Sequence, residues 1–294
     1  MIDYLNLLQS EIPWLFWTAL ACFGLVVGSF INVVIHRLPI MMMQGWQTEC
    51  AALLETPEKA PPEGEKYDLV RPASACPGCK RPIRPWENIP VFSYLFLRAR
   101  CPGCGMWISP RYPLVELLVG ALTVMVIASF GLSVYSLALL PLLWGLVAMS
   151  FIDFEHQLLP DQLTLPLLWL GLLITLHPSA PLDPADALIG AAVGYLSLWS
   201  VYHLFRLLTG KEGMGYGDFK LMGLLGAWMG WTVVPMVVLL GSALGILAAI
   251  GIALTGRRVS GQPMPFGPYL AGAGVVALFW GEGIIQGYLR LSGL

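Results

Sequence analysis

The sequence has little charge and therefore lacks the surface of a soluble protein. Of its 294 residues, 12% are Asp, Glu, Lys or Arg, whereas 57% are hydrophobic. Soluble domains carry about 25% charged residues, so a soluble globular protein is excluded. The formal net charge of −2 offers no basic surface for nucleic acid. We therefore expect a polytopic membrane protein with the lipid bilayer, and no nucleic acid, as its partner.

A secretory signal peptide is also missing from the N-terminal region. No Lys or Arg precedes the first apolar run, and Asp3 and Glu11 in front of it are acidic. The run itself is too long for the apolar core of a signal peptide. We expect it to be the first membrane span.

Long apolar runs predict an all-α bundle of about eight transmembrane helices, since a span needs about 20 apolar residues. The predicted spans are 13–35, 114–133, 136–153, 162–177, 186–206, 219–232, 233–254 and 268–289. Glycines four residues apart would let helices approach closely in lipid. Three such pairs are Gly24/Gly28, Gly190/Gly194 and Gly241/Gly245, although chance also explains some pairs among 32 glycines.

The distribution of Lys and Arg predicts the topology, because these residues accumulate in cytosolic loops. Residues 36–112 carry 10 of the 16 Lys and Arg. Placing them in the cytosol puts 15 of the 16 on that side, with only Arg290 and both termini outside. The chain then divides into a first span at 1–35, a cytosolic segment at 36–112 and a seven-helix membrane core at 113–294.

Two cysteine pairs indicate a metal site in the cytosolic segment. The composition of residues 41–70 predicts a short helix and an irregular loop. That of residues 71–112 predicts a small module held together by a bound metal ion. Four thiolates in two C-x-x-C turns suit the tetrahedral site of one structural zinc ion; they are Cys76, Cys79, Cys101 and Cys104. Two disulfides or a redox motif are alternatives, but the reducing cytosol disfavours the first and the duplication disfavours the second.

Acidic side chains at the ends of membrane helices are costly and are therefore candidates for function. Asp153 ends the third predicted span and Asp218 begins the sixth, and both ends face the cytosol in the predicted topology. Two neighbouring carboxylates that share one proton carry out aspartic proteolysis. The residues alone leave other roles open: Asp153 as an interfacial acid, and Asp218 or Asp161 as a helix cap.

The glycines before Asp218 add a further signal. Gly215 and Gly217 belong to a G-x-G-D sequence, where the absence of a Cβ lets backbone and substrate approach closely. We expect both to support catalysis, although this short motif is a weak signal by itself.

The ordered motifs along the chain resemble those of the type IV prepilin peptidases, bifunctional leader peptidase/N-methyltransferases of bacterial inner membranes. The resemblance covers nearly the whole chain and includes both cysteine pairs. The other motifs are GSFINVVIHRLP at 28–39, ENIPVFSYL at 87–95, ISPRYPLVE at 108–116, DFEHQLLPD at 153–161, GMGYGDFK at 213–220 and PFGPYL at 265–270. The G-x-G-D element also resembles that of other intramembrane aspartyl proteases.

This resemblance implies a function and a catalytic pair. It implies that Asp153 and Asp218 are catalytic, with Asp161 as the rival for the first role. The substrates would be type IV prepilins and type II secretion pseudopilins, cleaved after the Gly that ends a short basic leader. The new N-terminal residue, usually Phe, would then be N-methylated with S-adenosylmethionine. The termini would be periplasmic, and no role transfers to residues 41–70.

Three acids at the cytosolic rim, Glu155, Asp161 and Glu212, are hypothesised to attract the basic leader. The methyl donor has no recognisable site, because the sequence lacks a G-x-G-x-x-G turn of a Rossmann unit. Its binding residues, the oligomeric state and the need for zinc in proteolysis stay unassigned. Two alternatives from other classes are a secondary transporter with an Asp153/Asp218 proton relay and a membrane scaffold without chemistry.

Overall fold

The computed structural model describes residues 2–55, 67–254 and 264–292, and within these ranges it is all-helical. The α-helices are α1 (Ile2–Glu11), α2 (Pro13–Leu53), α3 (Phe92–Phe96), α4 (Arg111–Phe130), α5 (Val134–His156), α6 (Asp161–Ile174), α7 (Pro184–Thr209), α8 (Tyr216–Met229), α9 (Val234–Leu254) and α10 (Gly267–Ser292). Short 3₁₀ turns occur at Pro85–Asn88 and Trp231–Val233. In these described ranges, β-pairing is limited to two isolated bridges, Ala75 with Pro82 and Arg100 with Trp107.

The helices agree with a multi-pass membrane protein. All eight predicted spans fall mainly within helices, and six helical segments are long and apolar enough to cross a membrane. The other two segments lie in α6 and α8, which have 14 residues each. A 14-residue helix is about 21 Å long, shorter than the ~30 Å apolar core of a bilayer.

The first long helix differs from its prediction. The predicted span ends at residue 35, whereas α2 continues to Leu53 and contains Pro39 in its interior. Residues 40–53 are rich in Met, Gln, Glu, Ala and Leu, which favour helix even where the chain leaves the apolar region. The predicted short helix at 41–70 is therefore the end of α2. The predicted irregular loop falls partly on residues 56–66, outside the described ranges.

The chain forms two compact units, Met1–Ala128 and Ser129–Leu294. In the first unit, α2 and α4 touch through the predicted glycine pair. A Cβ on Gly24 would lie 2.8 Å from the Cα of Gly120, and a Cβ on Gly28 would lie 2.6 Å from the Cα of Glu116. These distances are below van der Waals contact, so glycine is required for the two backbones to approach this closely.

The second unit is built around α8. Phe219, Leu221, Met222 and Leu224 in this helix are fully buried, and α6, α7 and α10 pack against it. A Cβ on Gly190 of α7 would lie 2.3 Å from the carbonyl oxygen of Gly226 in α8. The second predicted glycine pair therefore also serves close helix contact. Burial by neighbouring helices explains how a helix too short to span alone lies at the centre of the unit.

Candidate active site and metal centre

Asp153 lies near the end of α5, four residues before the left-handed Gln157 that terminates the helix. It is 5% exposed. Its Oδ2 accepts a buried 3.0 Å hydrogen bond from the backbone N–H of Gly267, the first residue of α10. The contact fixes the orientation of one carboxylate oxygen deep in the second unit.

Asp218 is the third residue of α8 and is 6% exposed. Gly215 occupies the N-cap position of the helix. Asp218 is therefore not the N-cap residue, contrary to one alternative from the sequence. Its side chain lies close to this glycine, since a Cβ on Gly215 would lie 3.8 Å from Oδ2 of Asp218.

The structure brings Asp153 and Asp218 together at one place. The two carboxylates interact electrostatically, and Leu159 packs against the backbone beside both of them. Its Cβ lies 2.8 Å from the position of a Cβ on Gly217, and its Cδ1 lies 3.2 Å from that of a Cβ on Gly267. Neither Leu159 nor Gly267 was singled out from the sequence, although both lie in motifs that carry the family resemblance.

The other predicted acids are more exposed and partly paired. Asp161 is the first residue of α6, and Pro160 occupies its N-cap position. The Asp161 side chain is half exposed and forms a 2.8 Å ion pair with Lys220. Glu212 lies 3.9 Å from Arg206 at the surface, and Glu155 is also exposed. The structure therefore places these three acids in a different environment from the buried pair.

The four predicted cysteines form one cluster in the first unit. Their Sγ atoms all lie within 4.8 Å of one another; Cys76 and Cys104 are 3.7 Å apart, and Cys79 and Cys101 are 4.0 Å apart. A tetrahedral metal with 2.3 Å bonds to sulfur would place its ligands about 3.8 Å apart. The cluster therefore fits a tetrahedral metal ion.

The two cysteine turns have the same local geometry. In each turn, the carbonyl of the first Cys, Cys76 or Cys101, accepts an N–H four residues later, from Lys80 or Gly105, at a residue with positive φ. The backbone N–H of the second Cys of each turn lowers the pKa of the first Cys, to about 6 for Cys101. These N–H donors stabilise the thiolate, the form that binds metal.

A charged pair links the first cysteine turn to the following 3₁₀ turn. The Arg81 guanidinium donates to Oε1 of Glu87, and the backbone N–H of Arg84 donates to Oε2. These two hydrogen bonds hold the pKa of Glu87 below its usual value. Cys22 and Cys50 are exposed and lie outside the cluster of four.

The chain is thus a helical, multi-pass membrane protein that contains a buried carboxylate pair and a cluster of four cysteines that could hold a metal ion. Residues 22–130 match the bacterial peptidase A24 N-terminal domain, and residues 140–250 match the type IV leader peptidase family. These matches and those of its relatives show that the chain belongs to the type IV leader peptidase family.

Three relatives carry the name prepilin leader peptidase/N-methyltransferase. The one from Stutzerimonas stutzeri is 56% identical over 272 residues, covering 92% of this chain and 93% of the relative. The one from Aeromonas salmonicida is 52% identical over 283 residues, covering 96% and 97%. The one from Pseudomonas aeruginosa is 51% identical over 294 residues, covering 100% and 99%. No solved structure matches the chain.

Proposed function

We propose that this protein is an intramembrane aspartic endopeptidase and N-methyltransferase. It removes the short basic leader of type IV prepilins and type II secretion pseudopilins after Gly, and then methylates the new N-terminal residue, usually Phe. The observation that carries the peptidase assignment is the meeting of two buried aspartates, Asp153 and Asp218, at helix ends of the second unit. The names of the relatives support both activities.

The proposed cleavage uses the two aspartates as a proton-sharing pair. One carboxylate accepts a proton from water, while the other, protonated, hydrogen-bonds the scissile carbonyl and stabilises the negative charge that develops on its oxygen. The Gly267 N–H holds Oδ2 of Asp153, so Oδ1 is the oxygen that acts on water or substrate.

Burial favours Asp153 over Asp161 as the first member of the pair. Asp161 is half exposed and is neutralised by Lys220, whereas Asp153 is buried and interacts with Asp218. Two close carboxylates in a buried place cannot both ionise readily, which is the condition for sharing one proton. We assign Glu155, Asp161 and Glu212 to the attraction of the basic leader.

We infer that the four thiolates hold one structural zinc ion. The all-sulfur ligand set, the spacing of the Sγ atoms and the backbone N–H donors fit this metal. When bound, zinc ties the two cysteine turns together and stabilises a small module that has little apolar core of its own. The ligands are Cys76, Cys79, Cys101 and Cys104.

S-adenosylmethionine is the proposed methyl donor, and it supplies an electrophilic methyl group to the substrate amine. The relatives' name supports this activity, but no described residue is assigned to hold the donor. Within the described ranges the β-pairing is limited to isolated bridges, so the described chain contains no Rossmann unit.

The proposed topology places the protein in the bacterial inner membrane. The eight predicted segments would all cross or enter the bilayer, with α8 enclosed by α6, α7 and α10. The metal module and the catalytic pair would face the cytosol, and both termini would be periplasmic. The comparisons do not support a transporter or a scaffold without chemistry.

One experiment tests both activities. The purified full-length protein is incubated in detergent with a prepilin and radiolabelled S-adenosylmethionine, and the product is separated on a gel. The proposal predicts a shortened substrate that carries the label. A substrate that is neither shortened nor labelled contradicts the whole proposal, and a shortened, unlabelled product contradicts the methyltransferase half.

A further inference from the structure

A buried carboxylate in the first unit, Glu116, takes no part in the proposed cleavage. It lies on α4 and is 7% exposed. Its Oε2 accepts a 2.7 Å hydrogen bond from the backbone N–H of Val91. Among the residues that the structure describes, no Lys, Arg or His forms an ion pair with it. Within this described part of the chain, the carboxylate therefore has acceptor capacity left and no counter-ion.

The residue that donates to Glu116 has a strained backbone. Val91 has φ 61° and ψ −49°, and around it the Phe92 N–H donates to the carbonyl of Pro90 over 2.6 Å. This is a γ-turn of the rare kind with positive φ, and a β-branched residue is disfavoured in it. Such strain persists where surrounding contacts hold it, and it is frequent at ligand-binding sites. Here it occurs where the backbone meets the buried carboxylate.

The side-chain oxygen of Asn32 is a second buried acceptor, and the residues that Asn32 contacts lie within about one helical turn of Glu116. Asn32 is 4% exposed, and its Nδ2 donates to the carbonyls of Tyr112 and Gly28 over 3.0 and 3.4 Å. Because carbonyls accept only, these contacts fix which end of the amide is Oδ1. That oxygen is buried and has no hydrogen-bond partner among the described residues, so it has room for a donor. Tyr112 is four residues before Glu116 on α4, and Gly28 contacts Glu116 directly.

We propose that Glu116 and Asn32 bind the new N-terminal ammonium group of the processed substrate. The inference rests on the proposed function, because cleavage produces this group and methylation consumes it. An ammonium carries one positive charge and three N–H donors. It therefore supplies both the counter-ion for Glu116 and the donor for Asn32 Oδ1. A hard metal cation would require more oxygen ligands than this pair provides.

The same carboxylate serves as the proton acceptor for methylation. The ammonium group must lose a proton before its nitrogen is nucleophilic, and Glu116 accepts that proton. The N–C bond then forms while the S–C bond of the donor breaks, and the electron pair of that bond stays on sulfur and neutralises the sulfonium. The product is an N-methylammonium group. A positioned general base contributes roughly 10²- to 10⁴-fold to such a rate.

The experiment uses Glu116→Gln in the full-length protein. The amide keeps an acceptor for the Val91 N–H but cannot take a proton or balance a cation. We expect cleavage of a prepilin within about twofold of wild type and a loss of methylation of about 100-fold or more. In a separate binding measurement, a labelled peptide with the processed N-terminus is compared with its N-acetylated form. Wild type should bind the free amine about tenfold more tightly than the N-acetylated form, as expected of one charge-assisted hydrogen bond, and Glu116→Gln should bind both equally.

A control variant tests whether the loss is specific to Glu116. Glu282→Gln is the matched control, because Glu282 is an exposed acid on α10, and both activities should be unchanged.

The possible outcomes are distinct. Normal methylation by Glu116→Gln, or equal loss of cleavage and methylation together with a lower Tm, overturns the inference. Wild-type protein that cleaves but methylates nothing would instead overturn the proposed methyltransferase function. If the wild-type protein methylates its substrate and Glu116→Gln still prefers the free amine over the N-acetylated peptide, the inference is overturned. The proposed methyltransferase function then stands.

Discussion

The backbone N–H of Gly267 donates a 3.0 Å hydrogen bond to Oδ2 of Asp153, although 114 positions separate the two residues. The contact ties the start of α10 to the end of α5. A Cβ at position 267 would lie 2.6 Å from that oxygen. Glycine therefore allows the backbone itself, rather than a side chain, to position a proposed catalytic carboxylate.

Gly267→Ala should abolish cleavage because the added methyl group displaces the Asp153 carboxylate. A displacement of about 1 Å in an active site costs about 100-fold in rate, and we expect at least that loss in the prepilin gel assay. Gly272→Ala is the matched control, since a Cβ at Gly272, on the same helix, meets nothing within 4 Å. Wild-type activity in Gly267→Ala would contradict the positioning role.

The two glycines of the G-x-G-D motif should differ in their tolerance of alanine. A Cβ on Gly217 would lie 2.8 Å from the Cβ of Leu159, whereas a Cβ on Gly215 would lie 3.8 Å from Oδ2 of Asp218. Gly217→Ala should therefore reduce cleavage about tenfold or more through overpacking of about 1–3 kcal/mol. Gly215→Ala adds a methyl group at an ordinary van der Waals distance from Asp218 and should retain most activity. Equal effects in kinetic assays of the two variants would contradict this account.

Loss of a cysteine ligand should affect the two activities unequally. Cys101→Ser removes one of four ligands, so zinc bound per chain, measured by mass spectrometry, should fall from about one to nearly zero. Val91 lies between the two cysteine turns and contacts Glu116, so methylation should fall about 100-fold. The Gly267 hydrogen bond that holds Asp153 lies within the second unit, so cleavage should fall by less than about tenfold.

Cys50→Ser is the control for that experiment, because Cys50 lies on α2 outside the cluster. It should leave zinc content, cleavage and methylation unchanged. If Cys101→Ser keeps its zinc, the metal assignment is contradicted. If cleavage and methylation fall equally, the unequal dependence on the module is contradicted.

Neutralising the rim acids should weaken substrate binding in a manner that depends on salt. Glu155→Gln, Asp161→Asn and Glu212→Gln should each raise KM about two- to fivefold at low ionic strength, as expected of exposed charges. Asp161 and Glu212 are already paired with Lys220 and Arg206, which keeps their effects small. The difference from wild type should vanish near 1 M salt, where the Debye length is about 3 Å. A KM that is insensitive to both salt and substitution would exclude these acids from substrate binding.

The helices were largely predictable because each apolar run is long, but their ends and surroundings were not. Residues 40–53 favour helix, but the predicted span ends at residue 35, so the sequence does not show that one helix continues unbroken to Leu53. The apolar run at 219–232 is short, so the sequence predicts a membrane span there only weakly. Its burial depends on α7, which contacts it through Gly190 and Gly194, and an apolar face looks the same whether it meets lipid or protein.

The candidate site was predictable where side chains carry its chemistry. The cysteine turns predict their own cluster because C-x-x-C spacing and metal geometry constrain each other. The distribution of Lys and Arg among the loops predicts that the helix ends carrying Asp153 and Asp218 lie on the same side of the membrane. Gly267 acts through its backbone N–H, which every residue except proline possesses, so no side-chain signal distinguishes it. Glu116 lies in the predicted span 114–133, but its contact with Val91 and the nearby position of Asn32 follow only from the fold.

The most direct measurement is the cleavage rate of a prepilin by wild type, Asp153→Asn, Asp218→Asn and Asp161→Asn, each shown to be folded by its Tm. The account predicts that the first two variants lose about 10³-fold or more in kcat, since neither amide can exchange the shared proton. Asp161→Asn should keep its kcat and raise only KM. An active Asp153→Asn together with an inactive Asp161→Asn would contradict the proposed catalytic pair.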